Sequence, residues 1–390
     1  MKHWHFALIF ISLQTFGQSP ELAIHRADSM TRRYANQIFN RAAVVGVYYQ
    51  GEDTIIAKGR INSWGRKADK HDVFQLGSVT KSITGFMLAK EILKGTLSLD
   101  DTITPYIHIK KKSKFDSVTI KHLVTHTSGL PHNTLDVFGP TFLAGAGVGI
   151  IRSRLIFGPM GAPAVIVYTP WQSIFIPPLP HYSTYGKGAL NEDLRLARLK
   201  KYGTYKYSNI GYGIIGNILS EKHGLNFEGL LQQEFCEPLG LTETSTKPKN
   251  LPKGKYATPH DFFGIRMVRT QFAEGGMEGA GDVKMSATDL MKYLQLQFDS
   301  TNALFPIIKL QQQSQFKAFD KKHHEIEIGM GWLKKIDKEG TEIFWHHDHL
   351  LGTSAFVGFI PSKNIGIFLL ANNAKDRKLT KIGMWWLKQQ

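Results

Sequence analysis

Apolar and polar residues alternate differently along this chain, and the changes mark strand-forming ends around a helical middle. Residues 20 to 40 read as an N-terminal helix. Ala43-Val44-Val45-Gly46-Val47-Tyr48-Tyr49 reads as a strand, and Gly51-Glu52-Asp53 turns it into Thr54-Ile55-Ile56-Ala57-Lys58, which predicts a hairpin. A long apolar helix then starts at Ser78 and stops at Gly95, a suitable left-handed cap residue. Further helices are predicted at Ile120 to Thr125, Gly211 to His223 (closed by Gly224), Phe227 to Glu237 and Ser286 to Leu296. The last opens on Ser286-Ala287-Thr288-Asp289, a capping box with Asp in place of Glu. Strands return at Gly329 to Lys334, Glu342 to His346, Ser354 to Ile360 and Ile365 to Leu370. An amphipathic helix with Leu379, Ile382 and Trp386 on one face closes the chain. The pattern predicts an α/β (α+β) fold: a sheet subdomain from about 18–77 and 300–390, with a mainly helical subdomain, about 78–299, inserted between its halves.

The first residues break this pattern. Met1-Lys2-His3 precedes the apolar run Phe6 to Leu13 and the small residues that end at Gly17, so residues 1–17 read as a signal peptide. The apolar run is too short to span a bilayer as a helix. The sole cysteine, Cys236, excludes an intrachain disulfide and reads as a buried small hydrophobe. Export without disulfides points to a bacterial periplasm or secretion. Residues 139 to 180 also stand apart, being Gly-, Pro- and aliphatic-rich with Arg152 and Arg154 as their only charges. Such a segment suits a loop packed over the helical part, a lid, a groove for an apolar substrate, or peripheral membrane contact.

Apolar content of 42% and charged content of 21% are those of an ordinary soluble domain. The net charge of +16 is unusual, and it comes from scattered clusters at 110–114, 195–201 and 247–255. Those clusters lie in apparent loops without a nucleic-acid motif, so the charge points to solvated surface or to anionic envelope polymers and not to nucleic acid.

Chemistry is concentrated at Ser78-Val79-Thr80-Lys81. Residues three apart on a helix are neighbours, about 5–6 Å between Cβ atoms, so Lys81 can reach the Ser78 hydroxyl. A lysine with its ordinary pKa of about 10.4 is no base at neutral pH, but burial and a helix N-terminus both disfavour the ammonium. The same N-terminus offers free N–H groups to an oxyanion. Spacing alone is weak, because Ser314-Gln315-Phe316-Lys317 repeats it. Tyr207-Ser208-Asn209 supplies a second proton carrier and an amide, and Tyr34-Ala35-Asn36 repeats that pattern too. Order separates them: a Tyr-x-Asn follows only the Ser78 pair, and Tyr34 lies within the N-terminal helix.

These segments together resemble the serine β-lactamase and penicillin-binding-protein superfamily, in its class C, D-aminopeptidase and esterase branch. The resemblance covers roughly residues 30 to 390. It is carried by Phe74 to Lys81, by Leu123-Val124-Thr125-His126-Thr127-Ser128-Gly129-Leu130-Pro131, by Tyr207 to Tyr212, and by Gly279-Ala280-Gly281-Asp282. It implies an antiparallel sheet flanked by helices, with the site in the crevice beside a helical subdomain. It also implies Ser78 as acylated nucleophile, Lys81 as its activator, Tyr207 as proton relay and Asn209 as a substrate-binding amide. The Thr125 to Pro131 signature is expected to be structural. No cofactor or metal is implied.

The third motif departs from the branch, whose members carry His-x-Gly-Gly, or Lys in place of His. Here His346 fits, and Asp348 and His349 stand at the glycine positions. On a strand Asp348 shares the face of His346 and would raise the pKa of a nearby Lys81. Alternation splits His346, His347, Asp348 and His349 two and two, which argues against a compact metal cage. His323-His324 reads as a solvated loop. The expected protein is an exported serine hydrolase for an ester or amide, either small or a peptidoglycan-derived or D-amino-acid peptide. His346 and His349 would bind substrate, and the backbone N–H groups of Ser78 and His349 would hold the oxyanion. The alternative is a catalytically impaired protein of the same fold that binds envelope fragments.

Overall fold

The computed structural model describes residues 19–36, 42–61, 65–110, 112–132, 186–260, 266, 269, 274–319, 324–350, 352–373 and 376–390. The 1–17 leader and the 139–180 segment of the sequence reading lie outside these residues.

Eight strands form one antiparallel sheet in the order β2-β1-β11-β10-β9-β8-β7-β6. They are β1 (Ala42–Tyr49), β2 (Glu52–Gly59), β6 (Phe316–Phe319), β7 (Glu325–Ile328), β8 (Leu333–Ile336), β9 (Glu342–Leu350), β10 (Thr353–Ile360) and β11 (Ile365–Ala371). The first hairpin sits beside the last strands, with Val45 opposite Leu369 and Val47 opposite Ile367. The expected antiparallel sheet built from both ends of the chain, with flanking helices, is therefore present.

The central strands are apolar on successive residues because both their faces are covered. On β1, Val45, Val47 and Tyr49 face one core while Ala42 and Val44 face the other. The first face is covered by α1 (Pro20–Ala35) and by the last helix, Asp376–Lys388. Trp386, fully buried, donates its indole N–H to Ala23 O at 3.1 Å and locks those two helices together. Tyr34 belongs to this layer, its hydroxyl on Asn373 Oδ1 at 2.5 Å, so its match to the Tyr-x-Asn pattern is packing.

The other face carries the helices of the middle of the chain. These are α2 (Thr80–Leu93), α3 (Ile120–Val124), α4 (Lys187–Leu196), α5 (Asn209–His223), α6 (Phe227–Leu231), α7 (Ala287–Leu296) and α8 (Phe305–Gln312), which makes the closing helix α9. Ser286 caps α7 by accepting from Asp289 N–H at 3.1 Å, and Gly224 ends α5 in the left-handed region. Three differences from the sequence pattern stand out. The predicted helix at 227–237 continues past α6 through a π-helical turn, Gln232–Cys236, in which Cys236 is buried. The predicted strand at 329–334 starts only at Leu333, because Gly331 turns the chain at φ +86°. The helical middle also holds a small sheet of β3 (Val73–Gln75), β5 (Lys284–Ser286) and β4 (Thr244–Ser245).

Candidate active site

β3 aims the chain at the site. Leu76 N–H bonds Val283 O at 2.9 Å, and Gly77, at φ +52°, turns the backbone into a 3₁₀ turn, Gly77–Val79, that runs directly into α2. Glycine takes that φ without a steric cost. Ser78 is partly exposed on this turn while Val79, Ile83, Phe86 and Met87 are buried, so the helix is anchored and its first hydroxyl is open. Thr84 Oγ1 bonds Gly279 O at 2.7 Å, and Val283 N–H bonds Thr80 Oγ1 at 3.1 Å. These two bonds seat the Gly279-Ala280-Gly281-Asp282 segment against α2.

Lys81 is wholly buried. Its Nζ lies 2.9 Å from Ser78 Oγ and 2.7 Å from Ala280 O. It also stands 5.1 Å from the ring centroid of Tyr207 and 5.8 Å from that of Tyr212. Burial pulls its pKa down from 10.5 to about 7, and the Asp348 carboxylate pulls the other way. The carboxylate anticipated from the strand pattern does oppose the loss of the proton, but desolvation wins.

Tyr207 also reaches Ser78, its hydroxyl 2.9 Å from Ser78 Oγ and 3.4 Å from His346 Nε2. Burial lifts the Tyr207 pKa well above its ordinary value, so the phenol keeps its proton. His346 Nδ1 lies 2.8 Å from Gly331 O. A carbonyl only accepts, so Nδ1 carries the hydrogen and Nε2 presents a lone pair to Tyr207. Burial, followed by the charge of Lys81, pushes His346 well below its ordinary pKa and keeps it neutral. Ser78, Tyr207 and His346 thus form a line along which one proton can move.

The chain matches the family described as Beta-lactamase over residues 40–383. It belongs to the β-lactamase family. A β-lactamase from Pseudomonas fluorescens is 23% identical over 338 residues, covering 78% of this chain and 80% of the relative. The fold is shared with a class C β-lactamase from Rhodobacter sphaeroides, at a TM-score of 0.69 and 19% identity over 94% of this chain and 98% of that one. A β-lactamase/D-alanine carboxypeptidase from Pseudomonas syringae gives a TM-score of 0.71 at 17% identity, covering 95% of this chain and 99% of that one.

Within this β-lactamase-family fold, the segment expected to be structural holds Tyr207 in place. His126 adopts φ +60° and turns the Thr125 to Pro131 loop back on itself. Its carbonyl accepts from Lys206 N–H at 2.7 Å, and its Nδ1 accepts from Ser208 N–H at 3.2 Å. Thr127 O, Gly129 O, Pro131 O and His132 O accept from Gly203 N–H, Lys200 N–H, the Ser208 hydroxyl and Asn209 N–H at 2.7–2.9 Å. The His126 ring packs 4.3 Å from that of Tyr207. Burial and the nearby Lys81 hold His126 at a pKa of about 3, so it is a neutral spacer. The sequence signal for this role was the Thr-His-Thr-Ser-Gly run itself, whose tight turn needs partners elsewhere in the chain.

Of the other sequence candidates, Asn209 opens α5 directly after Tyr207, and His349 lies on β9 opposite Ser354. The side chain of His349 is outside the described residues. β8 pairs with β9 only as far as Trp345, so beyond His346 the far edge of β9 borders the Gly77–Val79 turn. Asp348 lies there, against Gly77, where a methyl group would overlap its carboxylate. Lys317 falls on β6, which removes the helical geometry that made Ser314 a rival of Ser78.

Glu91, His223 and Glu234, at the far end of α2, have ligand atoms within 4.8 Å of one another. Lys90 lies 2.8 Å from Glu234 and Lys94 lies 2.8 Å from Glu91, so two ammoniums already balance the two carboxylates. A divalent cation would add surplus charge to a neutralised cluster, which therefore serves as an ion-pair network. Burial raises the Glu234 pKa, but hydrogen bonds from Lys90 and Gln233 and the charges of Lys90 and Lys94 outweigh it and lower the value to about 2. A depressed carboxyl stabilises the fold above its unfolded pKa of about 4.3 and loses that contribution as pH falls through about 2. Glu234→Gln is expected to cost on the order of 2 kcal/mol at pH 7. Urea midpoints should show the gap from wild type narrowing as pH falls from about 5.

Proposed function

We propose that this protein is an exported serine hydrolase that cleaves an ester or amide through an acyl-enzyme on Ser78. The observation that carries the reading is Ser78 Oγ held at 2.9 Å by both Lys81 and Tyr207, with Lys81 brought to a pKa of about 7. Neutral Lys81 takes the Ser78 proton as Oγ bonds the carbonyl carbon of the substrate. The oxyanion sits on backbone N–H groups, for which Ser78 at the turn and His349 on β9 are the candidates. Tyr207 protonates the leaving nitrogen or oxygen as the C–N or C–O bond breaks, and the Lys81 ammonium, 5.1 Å from the Tyr207 ring centroid, returns the Ser78 proton to the phenolate. Water then attacks the ester by the reverse route and restores Ser78.

Asn209 and His346 are assigned to substrate binding, with His346 also holding the Tyr207 hydroxyl. The substrate class is a small ester or amide, or a peptidoglycan-derived or D-amino-acid peptide. Family membership supports hydrolysis, while the substrate must be argued from the site. A second reading, a binding protein of the same fold without turnover, is motivated by Asp348 at a position where the branch carries glycine.

A neutral fluorophosphonate probe separates the two readings. Wild type should be labelled and Ser78→Ala should not. Folded wild type that stays unlabelled would rule out the hydrolase.

A further inference from the structure

We infer that a basic face of the helical subdomain docks this protein on an anionic lipid surface. The inference is independent of whether Ser78 reacts.

Two segments far apart in the chain make the face. Residues 110–121 and 195–206 hold ten lysines and arginines against one carboxylate, Asp116, and so supply more than half of the net charge of +16. The fold lays these segments side by side. Lys114 Nζ donates to Arg195 O at 2.9 Å and to Ala197 O at 2.7 Å. The Tyr202 hydroxyl bonds Ser117 O, and the Tyr202 ring packs 4.7 Å from that of His122. Burial, followed by the like charge of Arg195, lowers the Lys114 pKa, so the two clusters feel each other's charge.

That charge is not spent within the fold. Among the described residues of the two segments, only Arg195 is in an ion pair, with Glu192 at 2.5 Å. Lys112 and Lys114 bond backbone carbonyls, which hold an ammonium without cancelling its charge. Lys110, Lys121, Arg198, Lys200 and Lys201 are exposed.

Two large apolar side chains stand open among these cations: Leu196 and Tyr202, each 43% exposed. A soluble polyanion would use the charge alone. A bilayer interface uses both, with the cations at anionic headgroups and the Leu and Tyr side chains at the acyl boundary. The combination therefore favours a membrane over a free polymer.

The test is co-sedimentation with phosphatidylcholine vesicles, either pure or with about 30% phosphatidylglycerol. Wild type should partition at least about ten-fold more strongly to the anionic vesicles and lose that preference in high salt. The apolar run Phe6 to Leu13, where retained, would bind both vesicles and leave the preference unchanged. Each cation at the surface is worth roughly five-fold, so Arg198→Glu, Lys200→Glu and Lys201→Glu together should weaken anionic binding at least about ten-fold. Lys110→Glu with Lys121→Glu, from the other segment, serves as a second variant should the first misfold.

Lys338, Lys363 and Lys381, exposed on the β8–β9 turn, the β10–β11 turn and α9, provide the control. Their reversal to Glu changes the net charge as much as the triple variant does, and should cost less than about three-fold. Leu196→Ser should weaken vesicle binding about three-fold or more and leave binding to soluble polyphosphate unchanged. Equal losses in the two triple variants would reduce the effect to bulk charge and overturn the inference. A wild type with no preference for phosphatidylglycerol would overturn it as well. So would a Leu196→Ser protein that binds vesicles as wild type does, which would leave a soluble polyanion as the partner.

Discussion

Lys81→Met is expected to lower the rate of Ser78 acylation by about 10²–10⁴-fold, the usual worth of a positioned general base. Methionine fills the same buried volume without an ion, so the loss should appear without unfolding. The decisive readout is the pH profile. Lys81 is protonated below about 7 and free to accept a proton above it, so wild-type acylation should climb through pH 7 and level off. The residual rate of Lys81→Met should lack that limb. Asp348→Asn should move the limb of the otherwise intact site to lower pH, because the carboxylate it removes is what raises Lys81 against burial. A wild-type limb that persists in Lys81→Met would hand the role of base to another group. Tyr207 is poorly suited to it, since burial holds its proton more firmly than in water.

The parts of this site legible in the sequence were those fixed by local geometry. Ser78 and Lys81 share a helical face wherever that helix lies, and the N–H groups at its start come with it. The central strands β1, β10 and β11 declared themselves through apolar runs because both faces of the sheet are covered there. β6 and β7 did not, since Glu325 and Glu327 alternate with Ile326 and Ile328 near the sheet edge and dilute the signal. What the sequence hid was long-range: Ala280 O receiving Lys81, Gly331 O fixing the His346 tautomer, and His126 setting Tyr207. Two of these three are backbone carbonyls, which carry no residue-type signature. The Asp348 effect was legible in sign but not in outcome. Its direction follows from charge, whereas the burial that outweighs it is a property of the packed helices.

Gly331→Ala is expected to be strongly destabilising, and the reason is where α2 meets the sheet. Gly331 sits at φ +86° with its Cα against the Lys81 carbonyl, where an added methyl would overlap Lys81 O and the Cα of Ser82. On the same helix face, a methyl on Gly85 would overlap Met330 O. Backbone therefore packs on backbone, and no flexible side chain is available to move aside. The change should cost at least about 3 kcal/mol, combining the left-handed φ with a displaced helix. Gly340 provides the control, because it has φ +81° and open space around its Cβ position. Gly340→Ala should show the conformational penalty alone, about 1 kcal/mol. Urea or thermal unfolding of the two variants separates space from conformation, and equal losses would refute the close contact. Any Gly331→Ala protein that folds should also be slow in acylation. Moving the Gly331 carbonyl releases the His346 Nδ1 hydrogen bond, and with it the lone pair presented to Tyr207.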